Sequence, residues 1–284
     1  MDPLVILLAL IAAVLHAVWN ALVKVGDDRL MTMAVVISTT GILSPLILVM
    51  GEPPAIDSWP YIGASVILNN IYFLFLIEAY RIGDLSHAYP IARGSAPLMV
   101  AVGAMIFSEE KLSLGEVVGI ALVSGAIISF VFFAGEERQK GWRTIFYPLF
   151  TGLMIAFYTV VDGIGVRISG SPSGFIGWLF LLSPLPITII AIVRRRRRVF
   201  EFLQYSWKPS VLAGCLNFGS YGLAIWALSL GTMAHVSALR ETSVIIAALI
   251  GAIFLGETFG QRRIILATVV VFGVIIMNIM APNY

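Results

Sequence analysis

The sequence predicts an all-α integral membrane protein of ten transmembrane helices, arranged as two inverted five-helix repeats. Three observations predict it. The 284-residue chain is 59% hydrophobic and only 12% charged, about half the charge of a soluble domain, too little polar surface to face water. Its apolar residues fall into runs of about 20, the length that crosses a hydrocarbon core. The chain also matches itself when shifted by 148 residues.

The runs place spans at 3–24, 30–50, 59–81, 84–107, 113–133, 144–167, 173–193, 208–230, 233–256 and 260–281. Local turn chemistry separates them: Gly26-Asp27-Asp28-Arg29, Gly51-Glu52-Pro53-Pro54, Gly83-Asp84 and Glu109-Glu110-Lys111. Such short connections join antiparallel neighbours, and a helix satisfies its own backbone in lipid. The opening MDPLVILLALIAAVL lacks a basic segment and stays apolar past residue 20, which predicts a retained first span rather than a cleaved leader. The lone Cys215 excludes an internal disulfide and a cysteine-rich metal site.

Lysine and arginine distribution predicts orientation. Lys24, Arg29, Arg81, Arg138, Lys140, Arg143, Arg194, Arg195, Arg196, Arg197, Arg198, Lys208, Arg262 and Arg263 fall at one face, and Lys111 and Arg167 at the other, 14 against 2. The positive face is normally cytoplasmic, so both termini are expected on the opposite side. The five consecutive arginines read as a cytoplasmic anchor, not a nucleic-acid site.

The 148-residue shift lays IGDLSHAYPIARGSAPLMVAVGAMIFSEE over LGTMAHVSALRETSVIIAALIGAIFLGET without gaps. Identities include Asn69/Asn217, Gly83/Gly231, His87/His235, Ser95/Ser243, Gly103/Gly251, Glu109/Glu257 and Gly125/Gly273. Apolar composition does not generate matched His, Asn and Glu in one frame. The halves are residues 1–134 and 144–284, with a linker at 135–143. Five spans per unit is an odd number, so the second unit enters the membrane upside down. Inverted repeats are a transporter signature and place the substrate site near the midplane where the halves meet.

The turns Phe107-Ser108-Glu109 and Leu255-Gly256-Glu257, with HAVWNALVK (residues 16–24) and YPIARGSAP (residues 89–97), resemble the EamA family of the drug/metabolite transporter superfamily, and a bacterial subgroup of it. Ser108 departs from the Leu-Gly-Glu pattern. The resemblance implies ten helices in a basket around a central cavity, and secondary carriage of amino acids, metabolites or drugs. It also implies a multi-pass protein of the bacterial inner membrane, and some relatives are associated with phosphonate use. Ten-helix members are often drawn with both ends cytoplasmic, against the charge distribution here.

Ionisable residues within spans are functional candidates. Arg93 lies roughly 13 Å in from Asp84, close to the midplane. Its repeat mate is Glu241, next to Arg240. Arginine there suits a carboxylate, phosphate or phosphonate; the alternative is an Arg93–Glu241 or Arg240–Glu241 pair locking the halves. Tyr89 lies one turn before Arg93, and His16, Trp19 and Asn20 share one face of the first span. Substrate-binding candidates are therefore Arg93, Arg240, Glu241, Tyr89, His16, Trp19 and Asn20. Proton-coupling candidates are Asp162 and Glu241, Asp162 alternatively pairing with a lysine such as Lys24. Pro90, Gly94 and Pro97 predict a kink in the fourth span near residues 86–94, beside the cavity. Asn69, Asn70 and Asn217 bridge helices or face the cavity. His87 and His235 read as caps or interface contacts, with a proton relay as the alternative, Glu109 and Glu257 as helix-end residues, Glu78–Arg81 as an i, i+3 pair. Gly115 and Gly119 read as close packing within the bundle or a dimer contact.

No nucleotide loop GxxxxGK[ST], no HExxH and no GxSxG occurs. The sequence therefore predicts no enzyme, catalytic residue, metal or cofactor. The expected function is secondary transport, as an exporter, of a small anionic or zwitterionic metabolite such as an amino acid, organic acid or phosphonate, by proton coupling or exchange. Alternatives are efflux of cationic drugs and, in another class, a channel or receptor. The expected partners are a small-molecule substrate and the bilayer, not nucleic acid, with the chain a monomer or homodimer.

Overall fold

The computed structural model describes residues 2–24, 28–82, 85–133, 142–196, 198–205, 207–254 and 261–279. All its regular elements are helices: α1 (Pro3–Lys24), α2 (Arg29–Leu48), α3 (Trp59–Ile82), α4 (Leu85–Phe107), α5 (Leu114–Phe133), α6 (Arg143–Ile168), α7 (Pro172–Leu182), α8 (Pro184–Arg195), α9 (Arg198–Tyr205), α10 (Trp207–Leu230), α11 (Met233–Arg240), α12 (Ser243–Phe254) and α13 (Gln261–Ile279). A single 3₁₀ turn, Ile56–Ser58, precedes α3. Among the described residues, seven segments are long and apolar enough to cross a membrane: Pro3–Val23, Arg29–Leu48, Ile56–Ala79, Pro90–Phe107, Arg143–Ile168, Pro172–Arg195 and Trp207–Leu230. Leu114–Ser129 and Ile265–Ile279 are apolar but shorter.

Two expected spans are each divided. Residues 173–193 become α7 and α8, broken at Ser183. Pro184 and Pro186 have no N–H to offer the preceding turn, and Asn70 Nδ2 donates to the Ser183 carbonyl at 3.2 Å. Residues 233–256 become α11 and α12, broken at Glu241–Thr242. By contrast, α4 runs unbroken through Pro90 and Pro97. Its repeat mate is the one divided, although it contains neither proline nor glycine at the break. Helix α9, beside the arginine run, was not expected.

Packing exchanges the halves. Helix α1 lies against α10, and α3 against α6; α4 lies against α6, and α11 and α12 against α1; α5 pairs with α13. The last contact is made by backbone. A Cβ on Gly119 would stand 2.6 Å from the Gly273 carbonyl oxygen, and one on Gly273 would stand 2.9 Å from the Gly119 carbonyl oxygen. Gly119 therefore serves packing inside the chain. Large apolar side chains such as Ile42, Leu46, Val102, Ile106, Ile189, Val193 and Phe272 point outward, as lipid contact requires.

Polar groups finish the helix ends. Asp28 caps α2, accepting from Leu30 and Met31 N–H at 3.2 Å each, and pairs with Arg195 Nε at 2.6 Å. At the opposite face Arg167 donates to the Leu228 and Gly231 carbonyls at 3.0 and 2.6 Å and pairs with Glu110 at 2.8 Å. Glu110 in turn accepts from Met233 N–H at the start of α11, at 3.0 Å. Glu78 and Arg81 form the expected i, i+3 pair.

Replacing Gly119 with leucine is expected to cost about 1–3 kcal/mol, the ordinary penalty of overpacking, because the opposing atom is backbone and cannot change rotamer. Thermal unfolding in detergent, read by loss of monodisperse protein, measures it. An unchanged midpoint would refute the backbone crossing.

Candidate functional site

The break between α11 and α12 organises the centre of the molecule. Glu241 N–H bonds the Ala238 carbonyl at 3.1 Å and Thr242 N–H bonds Leu239 at 3.1 Å, so the chain tightens into i, i+3 bonds before α12 resumes. Arg240 occupies the last turn of α11, and Glu241 stands just ahead of α12. Each charge thus complements the partial charge of the half-helix end beside it.

Arg93 meets Glu241 here, with Nε 3.0 Å from Oε2 and side-chain exposures of 4% and 2%. Arg93 Nη2 also donates to Ser243 Oγ at 3.4 Å. Arg93 and Glu241 are repeat mates, and residues related by a two-fold touch only on its axis. The ion pair therefore marks where the halves meet. Of the two readings of Arg93, this conformation holds the locked one.

Arg240 does not share that fate. It lines a cavity of about 40 Å³ with His16, Trp19, Thr40, Asn69, Tyr72, Phe73, Tyr158, Phe180, Ser183, Asn217 and Tyr221. Two buried donors on this wall, Arg240 Nε and Trp19 Nε1, have no hydrogen-bond partner among the described residues. A buried donor left unpaired costs about 1–3 kcal/mol. His16 stacks edge-on to Trp19, ring centroids 5.2 Å apart. The expected stripe splits at its third member: Asn20 Nδ2 donates to the His16 carbonyl of its own helix at 2.8 Å. The side chains of Tyr89 and His87, that of Lys24, and the turn Leu255-Gly256-Glu257 lie outside the described residues.

Asp162 is fully buried behind this wall. Ser65 Oγ donates to its Oδ1 and Tyr221 OH to its Oδ2, both at 2.5 Å. Asn69 Nδ2 donates to the same two hydroxyls, at 3.1 Å to Ser65 and 2.9 Å to Tyr221. The carboxylate is thus held by α3 and α10, and Tyr221 spans from it to the cavity. Among the described residues its partners are hydroxyls. Asn69 and Asn217, repeat mates, both reach the cavity, and Asn70 braces the α7–α8 break. Ser65 was not singled out in the sequence, although it stands one helical turn before Asn69.

His235 is the interface contact expected. Its Nδ1 lies 2.9 Å from Glu116 Oε1 on α5, and its Nε2 3.2 Å from the Met277 carbonyl on α13. Glu116 was also missed, although Ser113-x-x-Glu116 is the spacing of a capping box. The box is present: Ser113 N–H donates to Glu116 Oε2 at 2.6 Å, and Glu116 N–H to Ser113 Oγ at 3.3 Å. Among the described residues, no group of three His, Cys, Asp or Glu is placed to hold a metal.

An all-helical, multi-pass membrane chain built from two repeats, with a polar cavity where they meet, is the class these features define. The model of the EamA-like transporter family matches residues 3–132 and again 142–279, and the chain belongs to that family of membrane transporters. A crystal structure described only as that of a protein shares the fold, with a TM-score of 0.75 at 14% identity, over 98% of this chain and 96% of that one. No curated protein matches the sequence.

Arg93→Ala is expected to cost about 3–5 kcal/mol of stability, because it leaves Glu241 charged and unpaired in the interior. The double variant Arg93→Ala/Glu241→Ala is expected to recover much of that loss. Unfolding midpoints of both variants in one detergent test the pair; equal destabilisation by the single and double variants would count against it.

Proposed function

We propose that the protein is a secondary carrier that exports a small anionic or zwitterionic metabolite, such as an amino acid, organic acid or phosphonate, across a bacterial inner membrane. The observation that carries this reading is Arg240. It lines the central cavity with Nε lacking a hydrogen-bond partner among the described residues, while the neighbouring Arg93 is engaged by Glu241. A guanidinium beside the unpaired Trp19 N–H suits a carboxylate or a phosphorus oxyanion. The exchanged packing of the halves supports the inverted arrangement, and so supports alternating access. At about 40 Å³ the cavity has room for water but falls far below the roughly 300 Å³ of a ligand pocket. Transport therefore requires it to widen, and the Arg93–Glu241 contact at the meeting of the halves is the one to rearrange.

Asp162 is the proposed site of the coupling proton. It shares Tyr221 with the cavity, so a solute that draws on that hydroxyl changes the support of the carboxylate. Proteoliposomes loaded in turn with amino acids, organic acids and phosphonates test both assignments. Arg240→Ala is expected to abolish flux of the solute carried, and Arg240→Lys to retain part of it, since lysine keeps the charge but loses the planar fork. Asp162→Asn is expected to preserve exchange of that solute while losing its acceleration by a proton gradient. Normal flux in folded Arg240→Ala protein would sink the site assignment.

A second reading, efflux of lipophilic cations, draws on the aromatic wall of Tyr72, Phe73, Tyr158, Phe180 and Tyr221, whose ring faces attract cations. A resistance screen against such compounds separates the two. An unchanged profile in an overexpressing strain would leave the anionic reading.

A further inference from the structure

Helix α11 has eight residues and carries chemistry at both ends. Arg240 ends it in the cavity. His235 begins it, at the face opposite the arginine-rich one, against α5 and α13. The hydrogen bonding of His235 is informative. Its Nε2 faces the Met277 carbonyl oxygen, which only accepts, so Nε2 must carry a proton. Its Nδ1 faces Glu116 Oε1. The other oxygen of that carboxylate is occupied as an acceptor by the Ser113 N–H. An ionised carboxylate also only accepts. Both ring nitrogens are therefore aimed at acceptors, and the contact closes only when the dyad holds one proton beyond neutral imidazole and free carboxylate. Thr232 Oγ1, 3.0 Å from Nδ1, can turn to either role. Both side chains are 3% exposed, so water does not screen them.

We infer that His235 and Glu116 form a proton-binding site, separate from the substrate cavity, whose occupancy latches α11 to α5 and α13. With the proton bound, an imidazolium bridges carboxylate and carbonyl. With it lost, the Nδ1 lone pair faces a carboxylate at hydrogen-bond distance, and the contact repels. The proton moves between Nδ1 and water at this face; no other bond changes. The charged groups around the site are Glu116 on α5, Glu110 on the preceding loop, and Arg167 on α6, which is tied to Glu110. Glu110 also holds the first N–H of α11, so releasing His235 leaves that short helix pinned at its end and free to turn about it. Arg240 moves with the same helix. The site thus lets the pH of one compartment set the position of the cavity arginine, an inference that rests on the carrier reading above for its function but not for its existence.

Two measurements on the full-length protein in lipid nanodiscs test it without a solute. The chain has three histidines, so ¹⁵N-histidine labelling gives few signals, and loss of one in His235→Asn assigns it. The expected result is a doubly protonated ring over part of the pH range in which the protein is folded, a form lost in Glu116→Gln, which keeps the capping box. Second, a cysteine replacing buried Ile120 on α5, in a Cys215→Ser background, is treated with a water-soluble maleimide across the same pH range. Its labelling is expected to accelerate as His235 loses its proton, and to lose that pH dependence in Glu116→Gln. A His235 ring neutral at every pH where the protein is folded would overturn the inference, as would identical labelling profiles in the two proteins. If no solute in the panel moves yet both results hold, the carrier reading fails and the site stands. Flux with neither result is the reverse.

Discussion

Everything at the centre of this molecule depends on the pairing of Arg93 with Glu241. A charge in a lipid-embedded bundle is costly unless an opposite charge meets it, and here each comes from a different repeat. The pair sits where repeat mates touch. It joins the halves and accounts for one of the two buried arginines, leaving the other beside the cavity. It also fixes where α11 must stop and α12 must start. Of the protein's 18 lysines and arginines, the sequence assigns 14 to one face and 2 to the other. The remaining two, Arg93 and Arg240, are both here.

The neutral polar groups obey the same constraint by a cheaper route. Several buried hydroxyls turn back on their own helices. Thr39 donates to the Val35 carbonyl, Thr40 to Ile37, Ser44 to Gly41, Thr151 to Tyr147 and Ser183 to Leu179. These need no partner from another helix, so they place few demands on packing. Ser65, Asn69 and Tyr221 differ because their bonds converge on a carboxylate that would otherwise be unsupported. Side chains that cross between helices are concentrated at the cavity, at Asp162 and at helix ends.

The legible part of the fold was the part written in long averages. Apolar runs placed the helices to within a few residues, and the ungapped repeat matched Arg93 with Glu241. What was not legible depended on single contacts. Proline marked the division at Ser183 plainly, yet hydropathy averaged over it. Proline also pointed to α4, where the helix continues, whereas the unmarked Glu241–Thr242 break follows from charges that suit two half-helix ends. The cavity roles of His16 and Trp19 came from helical spacing, but spacing says nothing of whether Asn20 turns inward or back on its backbone. Ser65 and Glu116 were overlooked for a related reason: a serine in an apolar run and a glutamate at a helix start are both ordinary until a partner arrives from elsewhere.

The Gly119–Gly273 crossing carries one more consequence. Side chains that interlock commit two helices to a register, because each knob fits one hole. At this crossing carbonyl oxygens lie against bare α-carbons, and Leu122, Val123 and Met277 pack around them. Helices α5 and α13, the last of each repeat, meet in that way. Such a joint passes load between the halves through main chain, which has no rotamer to yield.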